Sequence, residues 1–198
     1  MQLATTCLKT ARLILTPPSV ADAEAMLDYH LRNRLGFQPW EPRRDERFYT
    51  VDGMRTRISA MNEKMLAQQS LHLLLRMPGR AEIVGECGFT NIVRGPFQAC
   101  HLGFSVCRGF EGKGLMLEAL RCAIDFVFDE LALHRVMANY RPENERSHRL
   151  LRRLGFEQEG FARAYLNIDG GWRDHVLTSL INENRPPFDP LPNGKIHI

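Results

Sequence analysis

The sequence has no long apolar run and only a small excess of positive charge. Its longest apolar runs, such as residues 73–75, are far shorter than the roughly 20 residues that a membrane-spanning helix needs, so we expect no membrane partner. The first fifteen residues lack the basic start, apolar stretch and cleavage site of a secretory signal, so we expect a cytoplasmic protein. The net charge of +3 is too small for a general nucleic-acid binder, and we expect no direct readout of nucleic acid.

Cysteine and histidine motifs are also missing. The five cysteines include no C-x-x-C pair, and their odd number argues against a closed disulfide framework. The seven histidines lack the H-E-x-x-H and Cys/His spacings that hold zinc. We therefore expect reduced, mostly buried thiols and no metal site.

The composition that is present is that of a globular domain, with 44% hydrophobic and 25% charged residues. A length of 198 residues favours one domain, which we assign to residues 1–184. Residues 185–198 form a proline-rich tail, in which Pro186, Pro187, Pro190 and Pro192 exclude a helix. We expect this tail to lie on the body or on a neighbouring subunit, which leaves a homodimer open.

Hydrophobic periodicity and turn residues predict the element order β-α-α-β-β-β-α-β-α-β-β. The predicted strands cover residues 12–16, 71–77, 83–92, 98–106, 134–140, 156–161 and 175–181. The predicted helices cover residues 19–34, 53–69, 115–131 and 144–154. Helices that interrupt a mostly antiparallel sheet indicate one α+β domain. The prolines on either side of Trp40 and Glu41 argue against regular structure at residues 39–42.

A glycine-rich loop, RGFEGKG at residues 108–114, joins a predicted strand to the predicted helix 115–131. The start of a helix presents unpaired N–H groups and a partial positive charge, and glycines let an anionic group approach them closely. The spacing fits neither the P-loop nor the Rossmann pattern, so it indicates neither a nucleoside triphosphate nor a nicotinamide cofactor. The loop is either a phosphate cradle or an ordinary turn between strand and helix.

A second polar helix start lies further along the chain. Asn144 stands where an N-cap belongs, and Ser147 follows in the first turn. Residues 141–153 hold five arginines against two glutamates, an excess equal to the net charge of the whole chain. Taken singly, these residues are a helix cap, a first-turn polar residue and a solvated face. Together with the glycine-rich loop they form a recurring arrangement.

These segments resemble the GNAT acetyltransferase superfamily, and within it the RimJ/RimL group, which acetylates the N-termini of ribosomal proteins. The resemblance covers roughly residues 10–182 and is carried by PWEP (39–42), NIVRG (91–95), ACHLGFS (99–105), GKGLM-x-EAL (112–120), HR-x-MANY (134–140), N-x-RS (144–147) and IDG-x-WRDHVLT (168–178). It implies a GNAT fold, with a central, mixed, mostly antiparallel, twisted sheet of six or seven strands and about four flanking helices. Gly109 departs from the Gln or Arg of the family's [QR]-x-x-G-x-[GA] loop, which puts one side-chain contact to a pyrophosphate in question.

The resemblance also implies the cofactor and its residues. In the family, acetyl-CoA lies in a V-shaped opening, which corresponds here to a divergence of residues 98–106 from residues 134–140. The backbone of Phe104, Ser105 and Val106 would pair with pantetheine. The pyrophosphate would be held by Glu111, Gly112, Lys113, Gly114, Leu115 and Met116. Asn139 and Asn144 complete the set of cofactor-binding residues, Asn144 through a bond to the pantetheine arm.

By the same resemblance, Ser147 would lie near the sulfur and protonate the leaving thiolate. The candidates for the general base are Glu41, Glu86, His101 and a water relay from Asn139 or Tyr165. Trp40 and Glu41 would receive a short N-terminal peptide, with Glu41 pairing with its ammonium group; the alternative is a loop that the tryptophan merely packs. Asp174 and His175 are adjacent on a predicted strand and point to opposite faces, so we expect no catalytic dyad.

The function implied is transfer of an acetyl group from acetyl-CoA to the N-terminal α-amine of a ribosomal protein that begins with alanine, by direct attack of the amine on the thioester. The small ribosomal subunit would be the wider partner. An α-amine has a pKa of about 7.7–8.0, against about 10.4 for lysine, so no strong base is required. Two alternatives stay open: acetylation of a small amine, such as a polyamine or an aminoglycoside, and a non-catalytic ribosome-assembly factor that retains the fold.

Overall fold

Eight strands form one sheet in the computed structural model, which describes residues 3–184. The strands are β1 Leu8–Lys9, β2 Ile14–Thr16, β3 Leu71–Arg76, β4 Ile83–Val93, β5 Ala99–Val106, β6 Arg135–Met137, β7 Glu157–Ile168 and β8 Gly171–Ile181. The α-helices are α1 Ala23–Phe37, α2 Val51–Leu66, α3 Leu115–Asp129 and α4 Glu145–Arg153. The strand order is β1-β2-β3-β4-β5-β6-β8-β7, antiparallel except between β5 and β6. This confirms the α+β fold and the mixed, mostly antiparallel sheet.

The expected count of six or seven strands is wrong, because a two-residue strand precedes the first predicted one. This strand, β1, pairs antiparallel with β2, and Leu8 lies opposite Leu15. Two residues are too few for an alternating pattern to mark a strand in the sequence.

The last two strands are longer than predicted and form one hairpin. Asp169 and Gly170 at its turn have φ values of 49° and 75°, the left-handed pair that a two-residue hairpin turn requires. Most residues of β7 are exposed or half-buried. The sequence therefore carries no apolar alternation that would mark the strand over its full length.

Several element ends also differ from the prediction. The segment after Ser19 begins as the 3-10 turn Val20–Asp22, and α1 then continues to Phe37. α2 begins earlier than residue 53, because the Thr50 hydroxyl accepts a hydrogen bond from the N–H of Gly53 at 3.0 Å and caps the helix there. The expectation of no regular structure at residues 39–42 is wrong in part. Gln38–Trp40 form a 3-10 turn, whose first positions tolerate a proline without an N–H.

Two apolar clusters hold the helices to opposite faces of the sheet. α3 packs through residues such as Leu120 against Leu73 on one face. α1 and α2 pack through Met26 and Met54 against Leu74 on the other. Adjacent residues of a strand point to opposite faces, so β3 contributes to both clusters. Full burial of such a side chain stabilises the fold by about 1.5–3 kcal/mol.

β5 and β6 are neighbours over only three residues and then diverge. Residues 99–101 pair with Arg135–Met137. Beyond β6, the N–H groups of Ala138 and Tyr140 donate to carbonyls of β8 at 3.0 and 3.2 Å. The chain therefore follows β8 away from β5, which shortens the strand predicted at 134–140 and leaves residues 102–106 beside a gap.

Among residues 3–184, no helix is long and apolar enough to cross a membrane, and no three His, Cys, Asp or Glu side chains are grouped to hold a metal ion. The five cysteines are free thiols, of which Cys87, Cys100 and Cys107 are buried. The proline-rich tail predicted at residues 185–198 lies outside the described residues, so the division at residue 184 stays a prediction.

Candidate active site

The gap between β5 and β6 is bordered by backbone groups of β5. The N–H of Cys107 donates to the carbonyl of Val84 in β4 at 2.9 Å, and the direction of such bonds alternates along an antiparallel strand. The N–H groups of Phe104 and Val106 therefore point into the gap, where an extended ligand can pair with them. The N–H of Ser105 points to β4 instead, so the backbone contact expected of Ser105 is directed away from the gap.

The glycine-rich loop is open on one side. Gly112 and Gly114 have φ values of 72° and 73°, a left-handed conformation that glycine adopts readily. Apart from its chain neighbours, no atom of the described residues lies within 4 Å of the place that a Cβ of Gly112 would take. Gly114 is the N-cap of α3, whose first N–H groups lack partners within the helix. The loop thus fits an anionic phosphate group, which could approach the backbone at the positive end of the helix dipole.

Charged side chains brace this loop from two sides. The guanidinium of Arg12 donates to the carbonyl of Lys113 at 2.9 Å and to the carboxylate of Glu118, in α3, at 2.7 Å. Arg146 of α4 donates to Glu111 at 2.5 Å. The Lys113 ammonium donates to a carbonyl of the same loop at 2.7 Å, so the Lys113 side chain lies against the loop. The Arg12 contacts were not predicted from the sequence, because no short spacing links partners so far apart in the chain.

Asn144 and Ser147 begin α4 on the other side of the gap. The side-chain oxygen of Asn144 accepts a hydrogen bond from the N–H of Ser147 at 3.0 Å, which confirms Asn144 as the N-cap. The positive end of the α4 dipole favours negative charge at this position by about 0.3–1 kcal/mol. The Ser147 hydroxyl is thus placed where a developing anion would be stabilised.

The loop after α1 is held in place by two other loops. The N–H of Asp169 donates to the carbonyl of Glu41 at 3.0 Å, and the guanidinium of Arg141 donates to the carbonyl of Pro39 at 2.6 Å. Arg141 also lies over the ring of Trp40, 5.4 Å from its centroid. These contacts fix the backbone at Trp40 and Glu41, while the Trp40 side chain stays 41% exposed.

One cavity of about 500 Å³ brings seven of the fifteen predicted site residues together, whereas Val106, residues 111–116 and Tyr165 are outside its lining. Its walls include Trp40, Glu41, Phe104, Ser105, Asn139, Asn144 and Ser147. Tyr165 does not line the cavity itself but contacts a residue that does. Its hydroxyl accepts a hydrogen bond from the amide of Asn139 at 3.2 Å. Asn139 in turn accepts from the N–H of Thr178 at 3.3 Å, which holds it in place.

A half-buried ion pair forms part of the cavity floor. The guanidinium of Arg57 donates to the carboxylate of Glu86 at 3.0 Å and to Nε2 of His30 at 3.0 Å. Burial alone would raise the pKa of Glu86, but the charge of Arg57 outweighs it and the pKa is lowered. Burial lowers the pKa of His30 to about 4, so this histidine is neutral and can accept a hydrogen bond from Arg57.

Glu41 behaves in the opposite way to Glu86. Burial and the nearby negative charge of Glu86 raise the pKa of Glu41, although Arg44, 3.9 Å away, opposes them. The cavity therefore holds one carboxylate that stays ionised and another that takes up a proton more readily. Environments that separate two carboxylates in this way are typical of acid and base pairs in enzymes.

Two other candidates are placed by their contacts. His101 is outside the set of described residues that line the cavity, and burial lowers its pKa. Asp174 accepts a hydrogen bond from the N–H of Ala164 at 2.8 Å, whereas His175 lines the cavity. The two side chains have different surroundings, as expected of adjacent residues on a strand.

Known proteins are similar to this chain in sequence and in fold. Residues 12–157 match a family model described as an acetyltransferase (GNAT) domain. The [ribosomal protein uS5]-alanine N-acetyltransferase of Escherichia coli (strain K12) is 45% identical over 180 residues, which are 91% of this chain and 93% of the relative. The crystal structure of ribosomal-protein-S5-alanine acetyltransferase from Vibrio fischeri has a TM-score of 0.87 at 36% identity and covers 92% of this chain and 100% of its own. Mycobacterium smegmatis RimJ in complex with CoA-disulfide has a TM-score of 0.84 at 29% identity, over 91% of this chain and 88% of its own.

Proposed function

Because the chain belongs to the GNAT acetyltransferase family, we propose that it transfers the acetyl group of acetyl-CoA to the N-terminal α-amine of a ribosomal protein that begins with alanine. The chain is an acetyltransferase, and acetyl-CoA is its cosubstrate. The observation that supports the proposed acceptor best is the cavity of about 500 Å³, which joins the gap beside β5 to a walled site containing Glu41 and Glu86.

The coenzyme is proposed to lie between β5 and α4, where it would present the acetyl group as a reactive thioester. The N–H groups of Phe104 and Val106 would pair with the pantetheine arm, and the side-chain nitrogen of Asn144 would donate to it. The pyrophosphate would bind at the open loop and helix start, formed by Glu111, Gly112, Lys113, Gly114, Leu115 and Met116. Ser105 and Asn139 line the cavity and would border the acetyl end.

Ser147 is proposed to donate the proton that the departing thiolate requires. Its hydroxyl lies in the first turn of α4, where the helix dipole favours an anion. Its backbone N–H is already bound by Asn144, so the side chain is not needed to cap the helix.

Glu41 is proposed to pair with the acceptor ammonium and to accept its proton. The raised pKa of Glu41 lies nearer to that of an α-amine, about 7.7–8.0, which lowers the cost of the transfer. Tyr165, bound to Asn139, would extend the proton path through water. Trp40, which is exposed beside Glu41, would contact the peptide that follows the amine.

The names of the relatives support the proposed acceptor. The Escherichia coli relative is named for ribosomal protein uS5 and alanine, which supports an N-terminal alanine and a protein of the small ribosomal subunit. A cytoplasmic location accords with a ribosomal substrate and is part of the proposal. A homodimer stays a prediction that sedimentation can check.

A panel of acceptors tests the function. The full chain is incubated with acetyl-CoA and, in turn, a peptide beginning with alanine, a lysine-rich peptide with a blocked N-terminus, a polyamine and an aminoglycoside, and products are identified by mass spectrometry. We expect kcat/KM for the alanine peptide to exceed the others at least about tenfold. Preference for a small amine would support that alternative, and coenzyme binding without any transfer would support a non-catalytic assembly factor.

Glu41→Gln adds a test of the site itself. It should weaken use of the peptide while leaving acetyl-CoA binding nearly unchanged, because it removes the negative charge that pairs with the ammonium. Glu46→Gln is the matched control, since Glu46 lies in the same loop segment but is exposed and paired with Arg34.

A further inference from the structure

The floor of the cavity contains two glycines that face each other on neighbouring strands. Gly88 of β4 lies directly opposite Gly103 of β5, and both line the cavity. Cross-strand partners share a face of the sheet and the face alternates along a strand, so the pair Glu86 and Ser105 lies next to them on the same face. A glycine inside a strand often marks the close approach of a ligand.

The two glycines differ in what requires them. A Cβ at Gly88 would lie 2.9 Å from Nδ1 of His72, so packing excludes a side chain there. A Cβ at Gly103 would meet no atom within 4 Å, and Gly103 is not among the glycines with positive φ. Within residues 3–184, neither packing nor backbone conformation demands a glycine at 103. Its effect is to leave space open above the sheet.

The carboxylate beside this space has unused capacity to accept hydrogen bonds. Arg57 donates to the two oxygens of Glu86 at 3.0, 3.3 and 3.4 Å. A carboxylate offers about four lone-pair sites, and Arg57 approaches from α2. Arg57, which is hydrogen-bonded to neutral His30, fixes the orientation of Glu86, and Glu41 adds a second carboxylate from the loop after α1.

We infer that this floor is the subsite for the first residue of the acceptor: Glu86 holds the α-ammonium group together with Glu41, which takes its proton, and the open space above Gly103 accommodates a small first side chain such as that of alanine or serine. The inference rests on the proposed function and adds the determinant of its specificity. Gly103 provides the space for the first side chain, and Arg57 and His30 are positioning residues for Glu86.

The test uses the full chain and four peptides that differ only in a first residue of glycine, alanine, serine or valine. Gly103→Ala puts a methyl group where the methyl of an acceptor alanine would lie. It should lower kcat/KM for the alanine peptide relative to the glycine peptide by about tenfold or more, with the Kd for acetyl-CoA unchanged. Gly36→Ala is the control, because a Cβ there also meets no atom within 4 Å and Gly36 lies in α1, outside the cavity lining.

A second variant tests the carboxylate. Glu86→Gln should raise KM for all four peptides by about tenfold or more, because a hydrogen bond to a charged group is lost. Glu82→Gln, which breaks the exposed pair with Arg32, should leave KM unchanged.

The outcomes separate this subsite from the function on which it rests. A wild-type enzyme that leaves every peptide α-amine unmodified overturns the function and the subsite together. A wild-type enzyme that is active, with a folded Gly103→Ala of unchanged peptide preference or a folded Glu86→Gln of unchanged KM, overturns the subsite alone. A loss of acetyl-CoA affinity in Gly103→Ala without a change of preference also overturns it.

Discussion

At Ser147 a substitution can test the chemical role of the side chain without removing the helix cap. The Asn144 cap uses the backbone N–H of Ser147, which alanine retains, so Ser147→Ala removes only the hydroxyl. We expect kcat to fall about 100-fold, as is typical for the loss of a general acid, with little change in the Kd for acetyl-CoA. Single-turnover kinetics and calorimetry measure the two quantities.

Ser59→Ala is the control for this change, since Ser59 is exposed on α2. It should keep both constants at their wild-type values. A wild-type kcat in Ser147→Ala, under conditions where chemistry limits the rate, would assign Ser147 to the structure of α4 alone.

His30 makes the stability of the fold depend on pH. Burial lowers the pKa of folded His30 to about 4, whereas an unfolded histidine has a pKa of about 6.5. Between these values the unfolded chain binds more protons, so the free energy of unfolding falls as pH is lowered through this window. At pH 5 this loss is about 2 kcal/mol for His30. We expect His30→Gln to lose correspondingly less stability than the wild type between pH 7 and pH 5 in urea unfolding.

The exposed His134 provides the comparison for His30. His134→Gln should show the same difference in unfolding free energy between pH 7 and pH 5 as the wild type. If His30→Gln also shows that same difference, the buried His30 is not the source of the pH dependence. His72, whose pKa burial likewise lowers to about 4, should retain its own contribution in both variants.

The loop before α3 makes its contribution through the backbone rather than through its lysine. Gly112→Val would fill the open side of the loop and strain a φ of 72°, so we expect it to weaken acetyl-CoA binding by at least about tenfold. Lys113→Ala should have a smaller effect, since the Lys113 ammonium is bound to a carbonyl of its own loop at 2.7 Å. Calorimetry with the two variants gives both dissociation constants.

Gly79→Val controls for the strain of Gly112→Val. Gly79 has a φ of 73° and also has no atom within 4 Å of a Cβ, but it lies in the turn between β3 and β4. It should lower stability without changing the Kd for acetyl-CoA. Equal loss of affinity in Gly112→Val and Lys113→Ala, with folding intact, would contradict a backbone cradle.

Elements with a strong apolar pattern were predictable, and those shaped by tertiary contacts were not. β3, β4 and β5 lie within one residue of the predicted ends, because alternating or continuous apolar residues face two buried clusters. β7 is mostly exposed, so its full length depends on pairing with β8 rather than on its own pattern. β6 is short because the chain after it follows β8 away from β5, a divergence that no local pattern of residues 134–140 records.

The same distinction holds for the site as a whole. Motifs within a short segment, such as the glycine-rich loop and the start of α4, could be recognised in the sequence. The cluster of His30, Arg57 and Glu86 joins α1, α2 and β4, and the Arg12–Glu118 pair joins the chain before β2 to α3. Such partners meet only after the sheet has assembled, so spacing in the sequence cannot identify them.

The central claim is that the molecule acetylates an N-terminal α-amine, and one competition measures it directly. A peptide that begins with alanine and carries one internal lysine is incubated with the full chain and acetyl-CoA near pH 7.5, and fragmentation locates the acetyl group. The α-amine is already partly neutral at this pH, whereas lysine, with a pKa of about 10.4, is almost wholly protonated. We predict that the acetyl group is found on the α-amine in nearly all of the product. Acetyl groups mainly on the lysine side chain would contradict the account.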